Sequence, residues 1–304
     1  MNANGGSFDL VSIGECLVEL SRESDGRYRV GYAGDAFNTL FYASRLGMQT
    51  GFITTFGDDL FTPMIREGIA AEKIDLSMTE VLSGRKNGLY FIELDQGGEY
   101  TFHFWRKNSA ATETLRRCEA NRLIDYCASS TWLLISGITL AVMEERERLS
   151  DLLPQLQNVS QTRIAFDTNY RPTLWESSRE YVRAFEEIIS FVDLFLPSES
   201  DMQRIWPGQS AEEIANYYHC DQVALKRGAD GCVLIWKGER YELAPPEQVQ
   251  LLDTTGAGDA FNGGFLTGLL RGWSPEDAAL LGMRVAGRVV GVRGAIDLGF
   301  TIET

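Results

Sequence analysis

Asp253-Thr254-Thr255-Gly256-Ala257-Gly258-Asp259-Ala260-Phe261 is the stretch on which the reading of this 304-residue chain turns. The apolar residues Phe261, Phe265, Leu266, Leu269 and Leu270 recur at helical spacing after it, and Gly272 supplies a stop. The glycines therefore stand at a helix N-terminus, where unpaired N–H groups and the helix dipole favour an anion. Small residues at Gly256, Ala257 and Gly258 let the backbone wrap a phosphate closely. Asp259, in the same turn, is placed to take the proton of an attacking hydroxyl. Taken alone, the tetrapeptide fits equally well a tight glycine turn before a core helix, with Asp259 as a capping residue. The surrounding sequence has to decide.

Outward from this turn, short apolar runs alternate with helical patterns. Strands are expected at 10–13, 51–56, 132–135, 164–167, 194–196, 223–226 and 232–236, several ending in Gly, Asp or Asn. Strands separated by helices imply right-handed crossover units and a mostly parallel sheet covered on both faces. Ligands of such sheets sit beyond the carboxyl ends of the strands, where these polar endings lie. Residues 17–32 and 85–106 read differently, with polar and apolar residues alternating and a hairpin turn at Asp95-Gln96-Gly97-Gly98. They are expected to project from the main sheet as antiparallel strands forming a lid. No internal repeat, low-complexity tract or linker interrupts the chain.

Composition bounds the rest. Hydrophobic residues make up 44%, enough for an extensive core. A formal net charge of -15 repels phosphate backbones and anionic lipid, so neither nucleic acid nor a membrane is an expected partner. An anionic substrate must then be caught by a few locally placed arginines and lysines. The five cysteines form no CxxC pair, which fits reduced thiols in the cytoplasm. His103 and His219 are the two histidines, too few and too far apart for His-centred metal or triad chemistry. The start, MNANGGSFDL, lacks a basic stretch leading into a long apolar run, so no secretory leader is expected. No window holds about 18 consecutive apolar residues, so no membrane span is expected.

There is no GxxxxGK[ST] loop and no protein-kinase signature. Instead Asp253-Thr-Thr-Gly-Ala-Gly-Asp259-Ala-Phe-Asn-Gly-Gly-Phe resembles the C-terminal signature of the ribokinase (PfkB) family of carbohydrate kinases. Gly31-Tyr-Ala-Gly34-Asp35-Ala-Phe-Asn38 is similar to a second family element, with Ala33 where a first glycine is usual. Lys226-Arg-Gly228-Ala-Asp-Gly231 is similar to a third, which approaches the ATP phosphates. The resemblance runs from about Leu10 to Asp297. It implies one kinase domain over 1–304 with a three-layer α/β/α ribokinase-like fold and a small antiparallel β lid formed by about 17–33 and 85–107. It also implies that Gly256, Ala257 and Gly258 form the oxyanion hole and that Asp259 is the base.

Within the family, Ile13-Gly-Glu15-Cys-Leu-Val-Glu-Leu20, Gly88-Leu-Tyr90-Phe-Ile-Glu93, Trp105-Arg106 and Phe166-Asp-Thr-Asn-Tyr-Arg171 look like segments of the 2-keto-3-deoxygluconate kinases. The resemblance implies that Gly34, Asp35, Tyr90, Phe104, Arg106, Arg171 and Asp259 line an acceptor site for a sugar acid. Phe104 stands where the family usually has Tyr. The chemistry agrees, since a guanidinium can clasp a carboxylate bidentately and a neutral sugar needs no such clamp. Read by itself, Arg106 is also a surface charge or a stacking partner for Trp105, Arg171 a partner for Asp167, and Tyr90 lid packing. On the nucleotide side the resemblance places Ser198, Lys226, Gly228, Gly231, Gly256, Gly258 and Asn262 around ATP. It gives Asp201 an indirect role, through water, at Mg2+. Ser198 also fits a cap on the following helix, and Lys226 a solvent-reaching strand end. Ser274-Pro275-Glu276-Asp277 reads as a structural helix start. Arg293-Gly294-Ala295 resembles a family loop near the adenine and a potassium (K+) site, which makes K+ a further expected cofactor, while Asp297 departs from the pattern there.

The expectation is thus a cytoplasmic, ATP- and Mg2+-dependent kinase acting on the terminal hydroxyl of 2-keto-3-deoxy-D-gluconate or a close sugar acid. Lid strands that pair between subunits would make it a homo-oligomer. The rivals are a fructokinase or other sugar kinase of the same fold, a sensor that kept the fold without catalysis, and a dinucleotide-binding oxidoreductase. The last lacks the GxxG that should follow residues 10–14.

Overall fold

The computed structural model describes residues 7–23, 25–94 and 100–302. The turn expected at 95–98 lies outside the described residues. In chain order the strands are β1 (Phe8–Ile13), β2 (Leu17–Arg22), β3 (Tyr28–Ala33), β4 (Thr50–Gly57), β5 (Thr79–Leu82), β6 (Leu89–Leu94) and β7 (Tyr100–Trp105). They continue as β8 (Ser130–Ser136), β9 (Arg163–Asp167), β10 (Leu194–Leu196), β11 (Gln222–Lys226), β12 (Cys232–Trp236) and β13 (Glu239–Leu243). The large sheet has the order β13-β12-β11-β10-β9-β8-β1-β4-β5. Its pairs are parallel from β5 to β11, and β12 and β13 add an antiparallel edge. Every strand expected in this sheet is present.

Successive residues of a strand face opposite sides, and both sides are covered. Leu10, Phe52, Leu134, Ala165, Leu194 and Ala224 pack with the helices Asp35–Arg45, Ala257–Leu270 and Pro275–Val289. Val11, Ile53, Leu133, Ile164, Phe166 and Phe195 pack on the other side with Ala120–Ala128, Arg148–Val159 and Ser178–Glu186. That double cover gives the three layers, and it explains why the strands read as unbroken apolar runs: all eight residues of β4 are buried.

A second sheet, β3-β2-β6-β7, forms the lid. Its two hairpins are antiparallel as expected, but β2 and β6 pair in parallel. The lid is therefore mixed rather than antiparallel throughout. Both β2 and β6 run outward from the large sheet, while β3 and β7 return to it, so the two outgoing strands meet side by side in the same direction. Ala33 causes no strain in this arrangement. It closes β3 opposite Leu17 and packs with Leu17, Tyr90, Ile92 and Ala295.

The helix start at Ser274 forms as the sequence indicates, its hydroxyl accepting from the Asp277 amide at 3.1 Å with Pro275 in the first turn. Asp297 also finds a structural role: Oδ1 accepts from the Gly299 amide at 2.9 Å, and Oδ2 lies 3.5 Å from Arg288 Nε. Among the described residues no helix is long and apolar enough to cross a membrane.

Candidate active site

The carboxyl ends of β1, β8, β9, β10 and β11 open toward the lid, and the chemistry-bearing residues collect there. Gly256 caps the helix Ala257–Leu270 with φ 74°, a left-handed conformation that favours glycine, and a Cβ there would lie 2.8 Å from Ala295. The turn is locked from behind. Asp253, nearly fully buried, accepts from the Thr255 amide at 2.9 Å, the Thr255 hydroxyl at 2.6 Å and the Gly294 amide at 2.9 Å. Residues 255–258 keep partial exposure, so the helix N-terminus faces open space rather than packed protein.

Asp259 sits in the first turn of that helix, and Asn38 Nδ2 donates to its Oδ2 at 2.7 Å. Asn38 comes from the helix Asp35–Arg45, and its Oδ1 also accepts from the Gly34 amide at 3.2 Å. Asp35 opens the same helix. Ser136 and Asn169 both donate to Asp35 Oδ2, leaving its buried Oδ1 without a partner among the described residues. Burial, followed by the nearby charges of Asp35 and Asp167, pushes the Asp259 carboxyl up to about 8; Asn38 and Lys226 pull the other way. Burial raises Asp35 too.

Lys226, at the end of β11, supplies the compensating cation. Its Nζ donates to Asp167 Oδ1 at 2.8 Å and to Asn262 Oδ1 at 3.2 Å, while Asn262 Nδ2 donates to Asp167 Oδ2 at 2.7 Å. This triangle holds the ammonium beside the cradle, 3.8 Å from where a Cβ on Gly258 would stand. Asn262 was expected to line the nucleotide. It is instead fully buried and spends both ends of its amide on Lys226 and Asp167. Arg171, with Asp167 already committed, forms no ion pair among the described residues and remains exposed.

The lid brings the remaining groups. Arg106, just past β7, has its guanidinium 4.6 Å over the Phe104 ring, and Phe104 stacks on Tyr90 with centroids 5.3 Å apart. Stacking needs the ring rather than a hydroxyl, so phenylalanine at 104 keeps this platform. The Tyr90 hydroxyl donates to Glu19 Oε2 and does not point freely into the cleft. Gly34 permits a close approach: a Cβ there would lie 2.1 Å from the Glu15 carbonyl oxygen.

Other expected positions are tied into the scaffold as well. Ser198 caps the helix Glu199–Ile205, accepting from the Asp201 amide at 3.1 Å. Asp201 is buried and its Oδ2 accepts from Thr168 Oγ1 at 2.8 Å and the Tyr170 amide at 3.2 Å, which ties down the loop after β9. Gly228 and Gly231 shape the β11–β12 connection, and a Cβ on Gly231 would lie 2.0 Å from the Leu243 carbonyl of β13. His103 and His219 lie apart from the site: His103 faces Glu93 and His219 ends the helix Ala211–Tyr218. Sequence reasoning missed Asn38 and Asp167, which the fold brings onto Asp259 and Lys226.

A cavity of about 720 Å³ lies between residues 246–252 and the helix Pro275–Val289, with Val249, Leu252, Met283, Val292 and Ile302 among its walls. No group of three or more His, Cys, Asp or Glu side chains able to hold a metal occurs among the described residues.

Comparison with known proteins agrees with this architecture. The model of the pfkB family carbohydrate kinases matches residues 7–300. The 2-dehydro-3-deoxygluconokinase of Escherichia coli (strain K12) is 34% identical over 299 residues, covering 94% of this chain and 96% of the relative. The 5-dehydro-2-deoxygluconokinase of Bacillus licheniformis is 29% identical over 296 residues, covering 93% and 90%. Among solved structures, a putative ribokinase II from E. coli in complex with ATP and Mg2+ superposes with a TM-score of 0.82 at 23% identity, covering 95% of this chain and 94% of that one.

Proposed function

The chain belongs to the pfkB family of carbohydrate kinases, and on that premise we propose that it phosphorylates the terminal hydroxyl of 2-keto-3-deoxy-D-gluconate, or a close sugar acid, at the expense of ATP. The observation that carries the reading is Asp259: a carboxylate oriented by Asn38 in the first turn of a helix whose N-terminus is open to an anion. Asp259 takes the proton of the acceptor hydroxyl, whose oxygen attacks the γ-phosphorus as the bond from that phosphorus to the β,γ-bridging oxygen breaks and ADP leaves. The amides of the 256–259 turn and the Lys226 ammonium stand where charge grows on the transferring group. Asp167 and Asn262 keep that ammonium in place.

The acid preference is supported by two arginines. Arg106 comes from the lid and Arg171 from the loop after β9, and a carboxylate between them would be held bidentately. The relatives' names point the same way, since both denote kinases of deoxy sugar acids. Asp35 Oδ1 is an acceptor for an acceptor hydroxyl. The cavity of about 720 Å³ suits the base and ribose of the nucleotide. Mg2+ keeps phosphate and water ligands and needs few protein carboxylates; Asp201, whose Oδ2 accepts from Thr168 and the Tyr170 amide, is the residue we place behind its water shell. When bound with ATP, Mg2+ neutralises phosphate charge.

We also read the four-stranded sheet as a lid on one kinase domain spanning 1–304. The exposed Tyr28, Val30, Phe102, Phe104 and Trp105 of that sheet support self-association through it. Five unpaired cysteines support a cytoplasmic location.

ADP release from ATP and Mg2+, with and without K+, tests the reading across 2-keto-3-deoxygluconate, 5-keto-2-deoxygluconate, fructose and ribose. We expect kcat/KM for one of the acids to exceed that for either neutral sugar at least a hundredfold. A neutral hexose used as well or better would overturn the acid assignment, and no ADP with any acceptor would favour a binding protein.

A further inference from the structure

Glu15, at the carboxyl end of β1, is 1% exposed, and among the described residues neither of its carboxylate oxygens has a hydrogen-bond partner. Its charge is answered by Arg106, whose Nη2 lies 3.1 Å from Oε1 in a pair whose side chains are 1% and 12% exposed. A carboxylate left this dry is unfavourable unless a cation faces it, and burial accordingly raises its proton affinity. The pair also occupies a particular place. Glu15 sits where β1 turns into the lid strand β2, and Arg106 where β7 leaves the lid. Gly34 presses on the Glu15 carbonyl from the return of β3, and a Cβ on Gly88, at the start of β6, would lie 3.3 Å from Arg106 Cβ. All four crossings between the large sheet and the lid therefore meet around this one ion pair.

We propose that Glu15 is a positioning residue for the acceptor site: it anchors the Arg106 guanidinium from the fixed sheet so that the remaining edge of the fork meets the carboxylate of the sugar acid. The inference deepens the acid-acceptor reading and rests on it. Two features of Arg106 fit a shared guanidinium. Its flat face is already set by the Phe104 ring, and its buried Nε has no partner among the described residues. Glu15 holds the guanidinium at Nη2 and Phe104 fixes its plane, and the donors that Glu15 does not take are left for the ligand. Glu15 touches neither the transferring phosphoryl nor the acceptor hydroxyl, so its loss belongs in acceptor affinity and not in the chemical step.

The test is steady-state kinetics of the full chain with the acid acceptor, comparing wild type, E15Q, E15D, R106Q and E15Q/R106Q, with thermal melts as a folding control. E15Q is expected to raise the acceptor KM at least tenfold while kcat and the ATP KM stay within about threefold. E15D, which keeps the charge, recovers most of the affinity. E15Q/R106Q performs no worse than R106Q, because Glu15 acts only through Arg106. An unchanged or lower acceptor KM in E15Q, or a double variant with additive losses, overturns the proposal. If E15Q alone does not fold, E15Q/R106Q removes the buried pair as a unit, and an acceptor KM above that of R106Q then decides against it. Wild type lacking any preference for acids would instead sink the acid reading itself, whereas an acid-preferring wild type with an indifferent E15Q sinks only the role of Glu15.

Discussion

Asp259→Asn removes one charge from the centre of the site and leaves its shape. Asn38 Nδ2 donates to Oδ2 at 2.7 Å, and the new amide oxygen can accept that bond in its place. Two effects of opposite sense follow. A positioned base contributes about 10²–10⁴ in rate, so kcat should fall by that factor, about 2.7–5.4 kcal/mol of barrier. Folding stability should rise. The carboxyl titrates at about 8 in the fold against 3.8 for an ordinary aspartate. A group raised in this way stabilises the fold fully below pH 3.8, and that contribution is lost as pH climbs toward 8. At pH 8 the displacement sets an upper bound of about 6 kcal/mol, and relaxation around the charge brings the expected gain from asparagine down to about 1–3 kcal/mol. Thermal melts at pH 8 should therefore rise by about 2–6 °C in Asp259→Asn, and the advantage should shrink by pH 4. ADP-release kinetics and calorimetric ATP binding complete the assay, with ATP affinity within about threefold of wild type. A variant that keeps kcat within tenfold of wild type would refute the role of Asp259; one less stable than wild type at pH 8 would refute its electrostatics.

The remaining expectations concern its neighbours. kcat/KM for the acceptor should rise with pH through about 8, and Asp35→Asn, which removes a charge that raises Asp259, should move that limb to lower pH; an unmoved limb contradicts the coupling. Lys226→Met should lower kcat by about 10–10³ and shift the same limb upward, since Lys226 holds the Asp259 value down; a pH profile with unchanged kcat would exclude a place for Lys226 at the phosphate. Arg171→Ala should raise KM at least about tenfold for the sugar acid and little for a neutral sugar, and equal effects on both would argue against the carboxylate clamp.

What the sequence disclosed, and what it withheld, follows the range of the interactions involved. The anion turn was legible because its signals are local: three small residues, an acid and a helical apolar pattern within one stretch of chain. The central strands were legible because burial on both faces makes them continuous apolar runs. β5 and β13 were not, being sheet edges whose residues Thr79-Glu-Val-Leu and Glu239-Arg-Tyr-Glu-Leu are half exposed and carry charges. The parallel pairing of β2 with β6 depends on which way two distant hairpins leave the large sheet, and no local pattern records that. In the site, Asn38 reaches Asp259 across 221 positions and Asp167 reaches Asn262 across 95. Glu15 was quoted as part of a motif without its partner being visible, because Arg106 meets it only when the lid is built. Asn262 shows the same limit from the other side: its place beside the signature suggests a ligand contact, and the inward bonds it makes to Lys226 and Asp167 are long-range and left no local sign.

The central claim is that one carboxylate and one helix N-terminus act together on a sugar acid held under the lid. A crystal structure of the complex with a non-hydrolysable ATP analogue, Mg2+ and 2-keto-3-deoxygluconate tests it most directly. The account predicts the terminal hydroxyl within about 3.2 Å of an Asp259 oxygen, the γ-phosphate at the amides of residues 256–259, and the substrate carboxylate between Arg106 and Arg171. An acceptor whose hydroxyls all lie beyond reach of Asp259, or a γ-phosphate seated away from that turn, would contradict it.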